Sequence, residues 1–222
     1  MNVFDYSPWY SEVEFGTFNE LGTVFYHSFH YPYWVFFIFI IFVQIKSNNM
    51  SLNSQKTFLF LTSFLLVFFI GLRHEVGGDW FNYLEVWKEV EERPYTFNNW
   101  NSDVGYIILL NLLNELHLNI YVANVICAFV FLFGIYKFAI RQSQPIMVYV
   151  VAFPYIITII GIGYTRQSVA YGFLLLAIIA LSNKKNFYFF LLIIIGSLFY
   201  KFLILFVFLY IASLKIKLNL RK

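Results

Sequence analysis

Residues 57–72 read TFLFLTSFLLVFFIGL and run directly into RHEVGGDWFNY at residues 73–83. The first stretch is apolar and approaches the roughly 20 helical residues that cross a bilayer core. The second stretch places charged, glycine and aromatic residues at the end of that helix. Ionisable groups at a lipid boundary are costly to bury and are often retained for a function. Residues 73–83 are therefore the first candidates for a functional site.

The composition of the whole chain indicates an integral membrane protein. Of its 222 residues, 60% are hydrophobic and 12% are charged, whereas soluble domains carry about 25% charged residues. The first thirty residues contain no Lys or Arg, so they lack the basic start of a cleavable signal peptide and are expected to belong to the mature chain. A single cysteine, Cys127, excludes an intrachain disulfide. The net charge of +3 reflects basic residues between spans, which indicates topology rather than a nucleic-acid partner.

Apolar runs predict an all-α, polytopic transmembrane helix bundle of about seven spans, forming one integral membrane domain over residues 1–222. The predicted spans are 24–45, 57–72, 119–140, 145–163, 166–182 and two short halves of 186–213, with Lys201 near the bend. Pro32 and Pro154 are expected to kink their helices. Val104 to Leu116 is apolar but too short to span, so it is predicted to be re-entrant or interfacial.

The positions of the basic residues predict the orientation of the bundle. With the N-terminus outside and the C-terminus in the cytoplasm, the basic clusters between spans fall on the cytoplasmic side, as the positive-inside rule requires. Residues 1–23 then form an external segment, residues 73–103 an external loop and residues 214–222 a basic cytoplasmic tail. This layout brings Arg73, the turn before the span 166–182, and Tyr200-Lys201 to one face, where we expect them to line a single external mouth.

The loop 73–103 contains a predicted amphipathic helix. Asp79 can cap its start, and Pro94 ends it. One side of the helix is apolar and the other charged: the first carries Trp80, Tyr83 or Leu84, Trp87 and Val90, and the second Glu85, Lys88, Glu89 and Glu92. This separation predicts a helix that lies along the outer headgroup layer with its aromatic side towards the lipid.

Arg73 is a candidate for binding a phosphate or pyrophosphate group. A guanidinium matches phosphate oxygens in a forked geometry, and the backbone freedom of Gly77-Gly78 allows amide donors and Asp79 to approach the same ligand. Position alone leaves open that Arg73 snorkels to the interface and marks the end of a helix.

Arg166-Gln167 is the second candidate for phosphate binding. It follows a glycine-containing turn and opens the span 166–182. The alternative is a helix-entry arginine, with Ser168 and Gly172 forming a small-residue packing face. The positive-inside rule disfavours an external arginine, which favours a function.

His74, Glu75 and Asp79 are the clustered candidates for proton transfer, since a base in a partly dry mouth can have its pKa tuned towards neutrality. Capping a helix is the competing role of Asp79. The other histidines show no metal-ligand spacing, so neither a metal ion nor another cofactor is predicted. Trp80 and the two later tryptophans of the loop either stack on sugars or form an interfacial aromatic belt.

Several motifs of this chain follow one another in a characteristic order: Gly71-Leu72-Arg73, Val76 to Trp80 with Tyr83, Asp103 to Tyr106, and Tyr164 to Gln167 with Ala170. Together they resemble the EpsG family of Wzy-type polysaccharide polymerases, over roughly residues 33 to 213. In that family an arginine ends the second span before a valine-glycine-(threonine or glycine)-aspartate-aromatic run, and an Arg-Gln pair opens a later helix. Both features are intact here.

Two features depart from the family pattern. Relatives usually carry a histidine at the bend of the last helix pair, where this chain has Tyr200-Lys201-Phe202. Relatives also usually continue through further spans beyond the position of Lys222. The sequence therefore leaves open a truncated chain, a degenerate one, or one that works with a partner.

The resemblance implies polymerisation of undecaprenyl-pyrophosphate-linked oligosaccharide repeats at the outer face of the cytoplasmic (inner) membrane, in capsule, exopolysaccharide or O-antigen synthesis. Arg73 and Arg166 would stabilise the departing pyrophosphate in place of a metal ion, and Asp79, or else Glu75 or His74, would deprotonate the acceptor hydroxyl. The predicted substrate-binding residues are Gly77, Gly78, Tyr83, Gln167, Tyr164, Trp80, Tyr200 and Lys201.

The expected partners are the lipid-linked glycan, membrane lipid, and the flippase and chain-length regulator of the same pathway, with no nucleic acid. Two other classes of function stay open from the sequence. One is a lipid-linked glycan exporter or a non-catalytic subunit of a polysaccharide assembly complex, and the other is membrane O-acyltransfer. The ionisable groups gather on one side of the predicted bundle, which favours surface chemistry over a transport path that must be lined from both faces.

Overall fold

The computed structural model describes residues 31–94 and 103–215, and these are helical with turns and no strand. In chain order the helices are α1 (Tyr31–Lys46), α2 (Leu52–Gly71), α3 (Trp80–Glu92), α4 (Val104–Glu115), α5 (Ile120–Ala139), α6 (Pro145–Gly163), α7 (Thr165–Ser182), α8 (Asn186–Phe199) and α9 (Phe208–Lys215), with 3-10 segments at Ser47–Asn49 and Lys201–Val207. The predicted segment 1–23 and most of the predicted tail lie outside the described residues.

The chain forms two compact units, divided after Phe39. The described part of the first unit is the beginning of α1, residues 31–39. The second unit starts at Ile40 and contains the end of α1 and all the helices that follow it.

Four of the described helices are long and apolar enough to cross a membrane, namely α2, α5, α6 and α7. They agree closely with the predicted spans 57–72, 119–140, 145–163 and 166–182, because a long apolar run specifies a membrane helix locally. The protein is therefore membrane-embedded, and the part of the chain that the structure describes is all-helical. The predicted count of seven spans is not confirmed, since the other described helices are shorter.

Helix α5 packs between α2 and α7, and α8 packs on the other side of α7. Glycines allow the closest approach: a Cβ on Gly134 of α5 would lie 2.5 Å from the carbonyl oxygen of Gly172 on α7, and one on Gly172 would lie 2.6 Å from that of Val130. Gly172 thus forms the small-residue packing contact that the sequence offered as the alternative interpretation of this helix start. Small residues at such contacts let helix backbones meet where lipid provides no hydrophobic driving force.

Pro154 distorts α6 as expected. A proline lacks the amide hydrogen of a regular helical bond, and residues Phe153–Ile160 adopt a π-helical turn. The hydroxyl of Thr158 donates to the carbonyl oxygens of Phe153 (2.7 Å) and Pro154 (2.6 Å), which supplies these carbonyls with a donor inside the membrane segment.

The last apolar stretch is broken, as predicted, at its middle. Tyr200 is extended between α8 and the 3-10 segment that begins at Lys201. Leu203, in that segment, is buried with Phe189 and Ile193 of α8. Two short segments therefore replace one helix, and the bend places the Lys201 amide at the start of α4, where it donates to Asp103.

Helix α3 has the predicted apolar side, but this side does not face lipid. Trp80, Tyr83, Trp87 and Val90 are buried, and the last three pack in one core with residues of α4, α5 and α7. The prediction that the aromatic side of this helix is directed towards the lipid is therefore wrong, whereas its position along the headgroup layer stays a prediction. The helical period specifies which residues share a face, whereas α4 and α5 supply the apolar surface that covers it.

Candidate functional site

The candidate site lies where α2 and α6 end and α7 begins, which we call the site end of the bundle. Arg73 follows α2 there, and its side chain is turned into the protein, with the residue 5% exposed. Its guanidinium donates to the carbonyl oxygens of Ile70 (3.1 Å) and Val76 (3.1 Å) and to the hydroxyl of Thr165 (2.6 Å). Arg73 therefore ties the end of α2, the following loop and the start of α7 together, and it does not snorkel.

The loop after Arg73 packs closely on the end of α6. Gly77 has a φ of +110°, and a Cβ there would lie 2.5 Å from the carbonyl oxygen of Ile162. The amide of Asp79 donates to the carbonyl oxygen of Gly163 at 3.3 Å. The predicted conformational freedom of Gly77 is confirmed, because both its φ and its contact exclude a side chain.

Arg166 is the second arginine of the site, and its side chain is 27% exposed. Its Nη1 lies 3.4 Å from Oδ2 of Asp103. The guanidinium also lies over the ring of Tyr83, 5.5 Å from the centroid. The backbone amide of Arg166 donates to the Tyr83 hydroxyl at 3.4 Å, and burial raises the pKa of that hydroxyl, so Tyr83 stays a neutral support under the cation.

Asp103 connects Arg166 to the bend before the last helices. Its Oδ1 accepts a hydrogen bond from the backbone amide of Lys201 at 3.2 Å. The Asp103 side chain is 10% exposed, and this burial raises the pKa of the carboxyl despite the opposing effects of the Lys201 amide and of the Arg166 and Lys201 charges. Asp103 belongs to one of the motifs that carry the family resemblance, but it was not among the predicted site residues.

The three separated stretches that the sequence assigned to one mouth do meet at the site end. Arg73 contacts Thr165, and the neighbouring Arg166 is joined through Asp103 to Lys201. The convergence follows from the helix order, because α2 and α6 end at the same side on which α7 begins. That this side faces the exterior stays a prediction.

Of the predicted proton-transfer residues, Asp79 lies close enough to act electrostatically on Arg166 and Tyr83, whereas His74 and Glu75 pair with other groups. His74 and Glu75 are exposed, with His74 Nδ1 2.6 Å from the Tyr121 hydroxyl and Nε2 3.7 Å from Oε1 of Glu75. Asp79 occupies the N-cap position of α3 but makes no side-chain cap bond, so the predicted capping bond is not formed. Its Oδ1 accepts instead from Asn82 at 3.4 Å.

The predicted substrate-binding residues differ in accessibility. Gly78 and Lys201 are exposed, whereas Tyr164, Gln167 and Tyr200 are half-buried. Trp80 is 1% exposed, so its ring offers no face to a sugar. The burial also excludes Trp80 from an aromatic belt. Its ring lies 5.9 Å from the Arg73 guanidinium, which it supports from within the protein.

Several polar atoms near the site are buried and have no hydrogen-bond partner among the described residues. They are Nε1 of Trp80, the hydroxyl of Tyr106 and both side-chain polar atoms of Asn124. Buried polar groups of this kind usually bind water. As for metals, no group of three potential His, Cys, Asp or Glu ligands occurs within residues 31–94 and 103–215, and metal independence stays a prediction.

A family model agrees with the motifs that meet at the site end. The EpsG family model matches residues 56–221, which include most of α2 and every described helix from α3 to α9. The chain belongs to the EpsG family. No curated protein and no solved structure matches it. This EpsG protein is therefore a membrane-embedded member of a family associated with polysaccharide polymerases, and a lipid-linked glycan and membrane lipid are its implied partners.

Proposed function

We propose that this EpsG protein polymerises undecaprenyl-pyrophosphate-linked oligosaccharide repeats at the outer face of the cytoplasmic membrane. The observation that carries the proposal is the partly exposed guanidinium of Arg166, with the buried guanidinium of Arg73 fixed to the adjacent residue, Thr165. Two positive charges beside one helix start form a favourable place for a pyrophosphate.

The two arginines have different roles in this proposal. Arg166 binds the pyrophosphate directly, because its side chain is partly open and a guanidinium takes phosphate oxygens in a forked pair of hydrogen bonds. Arg73 does not contact the ligand. Its three hydrogen bonds hold its buried guanidinium in place and position the start of α7. This refines the idea that both arginines grip the ligand.

In the proposed reaction these positive charges stabilise the leaving group. When the hydroxyl oxygen of the acceptor sugar attacks the anomeric carbon of the donor sugar, negative charge builds up on the departing pyrophosphate. Donors already in place at that position lower the barrier, since they need no rearrangement as the charge develops. The ring of Tyr83 packs against the Arg166 guanidinium and fixes its orientation. Lys201, exposed at the rim, adds a third positive charge.

We also propose the orientation inferred from the basic residues, with the N-terminus outside and the site end towards the exterior. In that orientation the flipped lipid-linked repeat reaches the site from the outer leaflet. The flippase and the chain-length regulator of the same pathway are then the protein partners.

The decisive genetic test deletes the gene and compares the surface glycan with that of the parent strain. Polymerase loss gives single lipid-linked repeats in place of polymer. A complete absence of repeats at the outer surface contradicts the proposal and indicates export instead.

The site itself is tested with purified protein, a lipid-linked repeat and detection of longer glycans. Arg166→Lys keeps the charge but loses the fork, so we expect kcat/KM to fall by about ten- to a hundredfold. Arg141→Lys is the matched control, because Arg141 follows α5, in the connection to α6, and donates to the Lys137 carbonyl oxygen. Equal rates for both variants at equal protein levels would remove Arg166 from the mechanism.

A further inference from the structure

Asp103 occupies a position where an aspartate ordinarily caps a helix, and it does not do so. It precedes α4, and the usual cap accepts a hydrogen bond from an amide two or three residues later. The Asp103 side chain makes no such bond. Both of its oxygens are directed elsewhere, Oδ2 to Arg166 Nη1 at 3.4 Å and Oδ1 to the Lys201 amide at 3.2 Å.

The backbone around Asp103 holds the carboxylate in this place. A Cβ on the glycine that follows Val104, Gly105, would lie 2.9 Å from Cβ of Leu198 and 3.0 Å from its carbonyl oxygen, so α4 is pressed against the end of α8. The bend at Tyr200 then presents the Lys201 amide to the carboxylate. Three separate parts of the chain fix one side chain, which is the support that a precisely placed reactive group needs.

The Asp103 carboxylate also pairs with the guanidinium of Arg166, which binds the pyrophosphate in the proposed function. Before the substrate arrives, Asp103 neutralises Arg166. Phosphate oxygens compete for the same Nη donors, so binding of the lipid-linked donor weakens the bond between Arg166 and Asp103. The carboxylate then lies beside the reacting group with its Lys201 bond intact and little water around it.

We propose that Asp103 is the catalytic base of polymerisation, in preference to Asp79, Glu75 and His74. This inference rests on the proposed function. It adds one residue to the site and assigns the proton transfer to the same carboxylate that holds Arg166 in the ligand-free protein.

The step balances without a metal or a redox partner. An Asp103 oxygen takes the proton of the acceptor hydroxyl, and the acceptor oxygen forms a bond to the anomeric carbon of the donor sugar. The bond between that carbon and the pyrophosphate oxygen breaks, and undecaprenyl pyrophosphate leaves with the electron pair at Arg166. Asp103 then releases its proton to solvent.

The surroundings favour Asp103 over the other candidates. Burial raises its pKa, and a carboxylate with a raised pKa is a stronger base. Among the described residues, the charged groups that face it are Arg166 from α7 and Lys201 from the bend. His74 and Glu75 are exposed and pair with Tyr121 and with each other. Asp79 also acts electrostatically on Arg166, but its Oδ1 accepts from Asn82, whereas Asp103 pairs directly with the Arg166 guanidinium.

The test measures polymerisation by the full-length protein in nanodiscs with the lipid-linked repeat as substrate. Asp103→Asn keeps the size and the acceptor oxygen for the Lys201 amide but cannot take a proton. We expect kcat to fall by about a hundred- to ten-thousandfold, with the KM for the donor changed by less than about fivefold. Glu85→Gln, on the exposed side of α3, is the matched control and retains wild-type kcat.

The pH dependence of kcat distinguishes a catalytic base from a residue that only positions Arg166. The acid limb of wild-type kcat should lie at a higher pH than an ordinary aspartate gives, and it should be absent from the residual activity of Asp103→Asn. The base role is overturned if Asp103→Asn lowers kcat but keeps the acid limb of the pH profile. It is also overturned if Asp103→Asn weakens donor binding as much as it lowers kcat. A wild-type rate in Asp103→Asn has the same consequence, and a large loss in Asp79→Asn would then identify the alternative base. An inactive wild-type protein with a verified substrate contradicts the proposed function instead.

Discussion

Substituting Gly77 tests whether the loop after α2 is held against α6 by backbone contact. In Gly77→Ala the new methyl group meets two obstacles. A φ of +110° is a strained conformation for any residue with a Cβ, at a cost of about 1–3 kcal/mol. The Cβ would also lie 2.5 Å from the carbonyl oxygen of Ile162 and 3.0 Å from Cα of Gly163.

The contact on Ile162 cannot be relieved by rotating a side chain, because its atoms are backbone. Either the loop or the end of α6 must move, and overpacking of this kind costs about 1–3 kcal/mol. The two effects sum to on the order of 2–6 kcal/mol. A shift of the loop would also move Asp79, whose amide bonds to Gly163, and would loosen the hydrogen bond from Arg73 to Val76.

Gly78 provides a control one residue away. A Cβ there meets the Tyr164 hydroxyl at 3.6 Å, an ordinary van der Waals distance, and the φ is not in the left-handed region. We expect Gly77→Ala to lower the thermal denaturation midpoint in detergent by several degrees, with a parallel loss of polymerisation, and Gly78→Ala to denature within about one degree of wild type. Equal midpoints for the two variants would refute the close-packing argument.

Three further outcomes follow from the site. Thr165→Val removes the hydroxyl that accepts from Arg73 and should destabilise the protein by about 1.5–3 kcal/mol in denaturation experiments. Thr165→Ser keeps the hydroxyl and should lose only the contribution of one buried methyl group, about 1 kcal/mol. Arg73→Lys keeps the charge but cannot reach Ile70, Val76 and Thr165 together, so both the denaturation midpoint and the rate should fall, and unchanged values would contradict its tying role. Burial raises the pKa of Asp103 above its unfolded value, so the folded state binds this proton more tightly. The stability of wild type relative to Asp103→Asn should therefore decrease as pH rises from the acid side through the folded pKa, and an increase would contradict the burial argument.

The sequence predicted the elements that depend on local chemistry. Helices α2, α5, α6 and α7 follow from apolar runs, the distortion of α6 from Pro154, and the break at Tyr200 from a polar group within an apolar stretch. The four residues on the apolar side of α3 were also identified correctly. These features depend on residues close in the chain, whose spacing alone fixes which of them share a helix face.

The sequence also brought Arg73 and the region of Arg166 to one end of the bundle, because alternating spans fix which helix ends lie together. It could not determine the direction of the side chains there. Arg73 is turned inward onto Thr165, and the aromatic side of α3 packs on α4 and α5 instead of lipid. Both side-chain directions depend on contacts with helices that are distant in the sequence, and the local sequence does not reveal those contacts.

The composition and the apolar runs therefore determined by themselves that this is a helical membrane protein with a charged cluster at one end. The tertiary structure alone decided which arginine is open, which is buried, and which carboxylate holds the open one. Arg73 and Thr165 are 92 residues apart in the chain, and Asp103 and Lys201 are 98 apart. Contacts at such separations arise from how the helices pack, and no periodicity within a single helix encodes them.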